Sequence, residues 1–131
     1  MQYEPCLTRR ELSDLTQNFI SSLEARDASA ALNCFNDGAL FCVQTSFKMW
    51  AGKAELSGTI ERFFLAYHSI ICGDCVLSVD EQNGRIAASF KIMLSPVNDA
   101  STEREIVLFA RIRLGKFQEV YGYMGGQSVF L

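Results

Sequence analysis

The sequence has few of the features that mark exported, membrane-embedded or disulfide-linked chains. Of its 131 residues only two are proline, and its longest apolar runs, such as residues 106–110, have about five residues, against the ~20 that a membrane-spanning helix needs. Five cysteines cannot all pair within one chain, so reduced thiols are expected. Glu4 and Pro5 stand where a signal peptide would have a basic start and an apolar run. We therefore expect a cytoplasmic protein with no membrane partner.

An excess of positive charge and the usual metal motifs are also missing. Twelve basic against 15 acidic residues give a net charge of −3, which has the wrong sign for binding a phosphate backbone. There is one histidine, and the Cys72–Cys75 pair has no second ligand pair at finger-type spacing. That pair also lacks the helix N-terminus that activates redox thiols, and no nucleotide motif is present. The sequence therefore predicts no nucleic-acid partner, metal or cofactor.

Three helices are predicted. The first begins at a capping box, Thr8 to Glu11, and runs to about Arg26, because apolar residues recur behind it at helical spacing. The Asp27 carboxylate can cap a second, short helix over residues 27–35. The third helix is centred on the apolar stripe of residues 60–67.

The rest of the chain has the alternation of an antiparallel meander. The Asn83-Gly84 pair favours a hairpin turn. The predicted strands cover residues 39–45, 75–80, 85–94, 105–114 and 116–123. In two of them alternation places apolar residues on one face: Ile86, Ala88, Phe90, Ile92 and Leu94, and Ile106, Leu108, Ala110, Ile112 and Leu114. Helices followed by strands, with 49% hydrophobic residues, indicate one α+β domain over residues 1–131.

This order of elements resembles the nuclear transport factor 2-like fold, and within it the SnoaL-like polyketide cyclases and ketosteroid isomerases. The stretches that carry the resemblance are LTQNFISSLEARDASAALNCFNDGALF, AGKAELSGTIERFF and ARIRLGKFQEVYGY. It implies a cone-shaped domain, in which a curved, mostly antiparallel sheet wraps around a cavity closed by three N-terminal helices. The family includes enzymes and non-catalytic members, so the resemblance implies a pocket but not a reaction.

Steroid isomerisation itself is excluded by three departures from the family pattern. The polar positions of the isomerases fall on Phe19, near Val43 and near Ala110, none of which can donate or accept a proton. Without a base and two oxyanion donors a dienolate cannot be stabilised. A single histidine also makes the His and Asp set of scytalone dehydratase hard to place.

The last strand supplies the candidate acid/base group. The resemblance and the alternation of side chains direct Phe117, Glu119, Tyr121 and Tyr123 into the cavity. Desolvation would raise the pKa of Glu119 and make it a proton shuttle, with the two phenols as hydrogen-bond donors. The alternative is a rim carboxylate paired with Lys116 or Arg113. A bulge of one residue in the last strand would move these side chains to the opposite face of the sheet.

Further candidates come from the helices and loops. His68 is either a second acid/base group or an exposed residue at a helix end. The tail, residues 125–131, either frays or covers a cavity mouth. Aromatic and aliphatic residues are expected either to pack against a hydrophobic substrate or simply to fill the core. They are Phe19, Trp50, Phe63, Phe64, Tyr67 and Leu108.

Two functions follow from these expectations. The first is a cofactor-independent enzyme of polyketide or terpenoid biosynthesis. Its substrate would be a hydrophobic oxygenated small molecule, and its reaction would be an acid/base-assisted cyclisation, isomerisation or epoxide opening. The alternative is a non-catalytic hydrophobic-ligand-binding or association module. The position of Glu119, beside an open cavity or on the outer sheet face, separates the two. Either would be a homodimer through the convex sheet face, where Val107 and Phe109 are expected.

Overall fold

Three α-helices and a six-stranded sheet make up the part of the chain that the computed structural model describes, residues 7–125. The elements are α1 (Arg9–Ala25), α2 (Ala28–Asn33), β1 (Phe35–Val43), β2 (Lys48–Ala51), α3 (Lys53–Ala66), β3 (Tyr67–Asp80), β4 (Arg85–Pro96), β5 (Thr102–Arg113) and β6 (Lys116–Met124). No helix within residues 7–125 is long and apolar enough to cross a membrane.

The strands form one mixed sheet in the order β2-β1-β6-β5-β4-β3. All neighbours are antiparallel except β1 and β6, which run parallel. The helices pack on one face of this sheet, and the core lies between them. The predicted α+β class, with a mostly antiparallel sheet, is confirmed.

Local capping fixes the first two helices as predicted. Thr8 Oγ1 accepts from the backbone N–H of Glu11 at 3.2 Å, and Glu11 Oε1 accepts from that of Thr8 at 3.0 Å, which satisfies two donors that a helix start leaves free. Arg26 ends α1 in the left-handed conformation, with φ of 54°. Asp27 Oδ1 then caps α2 at the backbone N–H of Ala30, at 3.0 Å.

Three boundaries differ from the prediction because strand pairing extends them. β1 begins at Phe35, which pairs with Phe117, and not at residue 39. β2 occupies a segment that the sequence leaves as a loop. The prediction that Tyr67 and His68 end the third helix is wrong, since α3 ends at Ala66 and β3 begins at Tyr67, where it pairs with β4.

The predicted faces of β4 and β5 are confirmed by burial. Ile86, Ala88, Phe90, Ile92 and Leu94 are buried on β4. On β5 the buried residues are Ile106, Leu108, Ala110 and Ile112. Leu114 was expected to continue this face, but it is 70% exposed in the turn to β6, at φ of 55°.

Leu108→Ala should cost about 2–5 kcal/mol of the free energy of unfolding, since it deletes a buried side chain that its neighbours cannot fully replace. Lys91→Ala should cost less than about 0.5 kcal/mol, because Lys91 is exposed and its ion pairs with Asp74 and Glu103 are 3.6 and 3.9 Å long at the surface. Denaturant unfolding of both variants measures the two losses. Reversed magnitudes would contradict the faces assigned to β4 and β5.

Candidate functional site

A shift of register between β5 and β6 decides which side chains reach which face. Arg111 pairs with Glu119, and the next residue of β5, Ile112, pairs with Phe117. One step along β5 therefore corresponds to two along β6, which leaves Gln118 as an extra residue. Such a bulge reverses the alternation of side chains on its two sides.

The expectation that Glu119, Tyr121 and Tyr123 point into the cavity is wrong for this reason. Phe117 and Val120, three residues apart, are both buried in the core at 2% and 1% exposure. Glu119, Tyr121 and Tyr123 alternate with Val120, Gly122 and Met124, so they lie on the outer, convex face of the sheet. The spacing of Phe117 and Val120 was the sequence signal that could have revealed the bulge.

Between α1 and the concave face of the sheet lies a cavity of about 20 Å³. Every one of its ten lining residues is apolar or glycine, and a cavity of that size and lining stays dry. The lining residues are Phe19, Leu23, Phe41, Val43, Phe90, Ile92, Ile106, Leu108, Gly122 and Met124. No described side chain in this lining can hold a metal or exchange a proton.

Of the six predicted packing residues, the structure brings Phe19 and Leu108 to this cavity. Trp50, Phe63, Phe64 and Tyr67 lie elsewhere. Trp50 packs against Phe41 with ring centroids 6.0 Å apart, and Phe63 packs against Phe64 and Tyr67 at 5.7 and 5.4 Å. These contacts are those of residues that fill the space under α3.

Glu119 is held as a carboxylate by two donors. Arg111 Nε donates to Oε2 at 2.6 Å and the Tyr121 hydroxyl donates to Oε1 at 3.2 Å. The Arg111 hydrogen bond holds the pKa of Glu119 below its usual value, and partial desolvation opposes it only in part. The raised pKa expected from the sequence is wrong in direction. Desolvation, followed by the bond to Glu119, raises the pKa of Tyr121.

Beside this cluster a groove of about 390 Å³ opens on the convex face. Its lining combines charged, aromatic and small residues contributed by β3, β4, β5 and β6. They are Ser78, Asp80, Arg85, Ile86, Ala87, Phe109, Ala110, Arg111, Glu119 and Tyr121. Arg85 and Arg111 were not singled out in the sequence, because only the sheet pairing brings them to Glu119.

His68 and the Cys72–Cys75 pair lie apart from the cavity and the groove, and the predicted cover of a cavity mouth by the tail falls on residues outside the described range from 126 onward. His68 is exposed on β3, and its backbone carbonyl accepts from Arg26 Nη1 at 2.8 Å. Desolvation, with a smaller contribution from Glu24, raises the pKa of Cys72 to about 12, and desolvation also raises that of Cys75. Thiols with raised pKa are poor metal ligands and nucleophiles. Among residues 7–125 no three His, Cys, Asp or Glu side chains cluster in a way that could hold a metal ion.

No protein-family model and no curated protein matches the sequence. Solved structures do match it. A provisionally named polyketide cyclase of Xanthomonas campestris has a TM-score of 0.77 and 18% identity over 88% of this chain and 90% of its own. A provisionally named isomerase of Bacillus subtilis has a TM-score of 0.80 and 13% identity over 88% and 87%. A Catenulispora acidiphila protein with a ketosteroid isomerase-like fold has a TM-score of 0.75 and 8% identity over 84% of each chain.

The chain has the nuclear transport factor 2-like fold. The resemblance predicted from the sequence is thereby confirmed at the level of the fold. Within this nuclear transport factor 2-like domain, the polar cluster and the groove lie on the convex face, whereas the apolar cavity lies on the concave face.

The carboxylate of Glu119 should make the stability of the domain depend on pH. Its folded pKa lies below the unfolded value of about 4.3. The stabilisation is therefore present above that value and is lost as the pH falls through the folded pKa. Urea unfolding at pH 7 and at pH 3 should show a larger loss of stability for the wild type than for Glu119→Gln.

The matched control is Glu61→Gln, which removes an exposed carboxylate of α3. This variant should keep the wild-type difference between the two pH values. An equal loss in the wild type and in Glu119→Gln would show that the Arg111 contact contributes no pH-dependent stability.

Proposed function

We propose that this chain is a non-catalytic association module that pairs with a second copy of itself through the convex face of its sheet. The observation that carries the proposal is the position of Glu119 on that face, away from the cavity between helices and sheet. The acid/base group expected inside the cone therefore stands outside it.

The concave cavity gives no support for acid/base catalysis. A general acid or base must lie within hydrogen-bond reach of the atom it protonates or deprotonates, and the ten lining residues offer no such side chain. Small-molecule pockets usually have about 300–1,000 Å³, whereas this cavity has about 20 Å³. Phe19, Phe41 and Phe90 occupy the space in which a substrate would lie.

The convex face instead carries an apolar belt across the middle of the sheet. Two adjacent rows of the strand pairing form this belt, and besides Ser78 and Ser89 they contain Val76, Ala87, Val107, Phe109, Tyr121 and Tyr123. Val76, Phe109 and Tyr123 are 64%, 50% and 42% exposed. The rings of Phe109 and Tyr123 meet edge to face at 5.9 Å, which fixes their positions relative to each other.

Charged residues border the apolar belt on both sides. One row consists of Asp80, Arg85, Arg111 and Glu119, and on the other side Lys91 lies opposite Glu105. An apolar centre with a polar rim is the usual arrangement of a protein interface. A second copy offers the same surface, so a two-fold axis through the belt would bury both centres.

Phe109→Asp should turn a homodimer into a monomer, because it places a charge in the centre of the apolar belt. Sedimentation at micromolar concentration measures the change. Phe47→Asp is the matched control, since Phe47 is 93% exposed on the connection before β2 and should leave the dimer intact. A wild-type protein that sediments as a monomer would contradict the proposal.

A second candidate is an enzyme whose proton transfer takes place in the convex groove. The groove of about 390 Å³ beside Glu119 favours it, and two of the similar structures are provisionally named a polyketide cyclase and an isomerase. Glu119 would accept a proton from a hydrophobic oxygenated substrate, and Tyr123 would donate a hydrogen bond to its oxygen. The hydroxyl of Tyr121, which donates to Glu119 in the free protein, would have to turn to the substrate to act as a second donor. The lowered pKa keeps Glu119 in the carboxylate form that a base requires, and it also makes that base weaker than one whose pKa lies near neutral pH.

Glu119→Gln should lower kcat by ~10²–10⁴-fold if this second candidate is right, since glutamine keeps the shape but accepts no proton. Tyr121→Phe and Tyr123→Phe should each lose less, and Glu61→Gln should lose nothing. Turnover of an epoxide such as styrene oxide and of a β,γ-unsaturated ketone is the measurement. A wild type that turns over neither probe supports the association module.

A further inference from the structure

The groove on the convex face contains two arginines whose donors exceed the acceptors that the protein offers. Arg85 and Arg111 lie directly opposite each other on β4 and β5, an arrangement in which like charges destabilise a sheet. Arg111 commits its Nε to Glu119. The guanidinium of Arg85 makes no hydrogen bond and no ion pair with any residue between 7 and 125, although its charge lowers the pKa of both Asp80 and Glu119. Each guanidinium has five N–H groups, so most of these donors remain available to a ligand.

The two carboxylates nearest to these arginines are already engaged. Asp80, opposite Arg85, accepts from the backbone N–H of Asn83 at 3.3 Å and from its side-chain amide at 2.8 Å. Glu119 accepts from Arg111 and from the Tyr121 hydroxyl. None of these hydrogen bonds comes from Arg85, so the donors of Arg85 line the groove without an acceptor from the described residues. An anion is the acceptor that a guanidinium binds most strongly.

The rest of the groove suits a flat apolar group. Ala87, Phe109 and Tyr121 lie in one row directly beside the row of Arg85 and Arg111. Ala87 lies between Phe109 of β5 and Ser78 of β3 in this row. Because its side chain is small, it leaves room between the aromatic rings and β3. The volume of about 390 Å³ falls within the usual range of small-molecule sites, roughly 300–1,000 Å³.

We propose that this groove binds a small aromatic carboxylate. The carboxylate bridges the guanidinium groups of Arg85 and Arg111 and relieves their repulsion. The ring lies over Ala87, against Phe109 and Tyr121. A monoanion fits better than a phosphate dianion, because Asp80 and Glu119 border the same row and repel additional negative charge.

This inference does not rest on the proposed dimer. Ala87, Phe109 and Tyr121 belong to both the groove and the apolar belt, so the ligand and a second copy of the chain compete for the same surface, and the site is open in the monomer. Dimerisation is measured by sedimentation, and occupation of the groove by titration. The failure of one leaves the other in place.

The experiment is a calorimetric titration of the full chain with 2-naphthoate, together with backbone amide chemical shifts. The expected result is saturable binding that moves the amide signals of the groove residues. Arg85→Gln should weaken it by about tenfold or more, the value of one charge-assisted contact. Arg10→Gln is the matched control, because it makes the same change in charge on a side chain of α1 that is 90% exposed, and it should bind as the wild type does.

Three further ligands and one further variant separate the contributions. Acetate tests the charge without the ring, 2-naphthylmethanol tests the ring without the charge, and inorganic phosphate tests a non-aromatic anion. All three should bind at least about tenfold more weakly than 2-naphthoate. Phe109→Asp should also weaken 2-naphthoate. Equal binding of naphthoate and naphthylmethanol, unchanged binding by Arg85→Gln, tighter binding of phosphate, or no binding at all would each overturn the proposal.

Discussion

The structure depends on one extra residue in its last strand. β6 lies between β5 and β1 in the sheet, so its side chains alternate between the helix-covered core and the convex surface. Without the bulge at Gln118, Phe117 and Glu119 would share a face, and either a carboxylate would enter the core or a phenylalanine would leave it. Burying an unpaired carboxylate costs far more than a local break in a strand ladder. The bulge places Phe117 and Val120 in the core and keeps Glu119 at the surface, where it pairs with Arg111.

The consequence for the interior is a core filled by aromatic and branched side chains. Phe19 meets both Phe35 and Phe117 edge to face, at 5.5 and 5.6 Å. Gly122 has no side chain, yet a Cβ there would lie 3.3 Å from Leu108 Cδ2, because Leu108 occupies the space. The interior is therefore closely packed even at its glycine, in keeping with the density of protein cores. A residual volume of about 20 Å³ follows from this packing.

The parts of the fold that local chemistry determines could be predicted from the sequence. The capping box at Thr8 and Glu11, the Asp27 cap and the alternation of β4 and β5 all involve residues a few positions apart. The parts decided by distant pairing could not. Phe35 joins the sheet because Phe117 pairs with it, and Tyr67 extends β3 because β4 lies beside it. The face of Glu119 depends on the register against β5, so strict alternation from Phe117 onward assigned the candidate site to the wrong side.

The same register explains why polar chemistry is concentrated on the convex face. A strand of this sheet places its polar residues on the face that the core does not use. Four neighbouring strands, β3 to β6, place charged residues there at positions that pair with one another across the sheet. Asp80, Arg85, Arg111 and Glu119 consequently form a continuous row. The order of charges along that row is negative, positive, positive, negative, and its carboxylates are bound by Asn83, Tyr121 and Arg111. The guanidinium donors of the two central residues are thus only partly used by the described residues, and the adjacent aromatic row gives a partner of opposite charge a surface on which to pack.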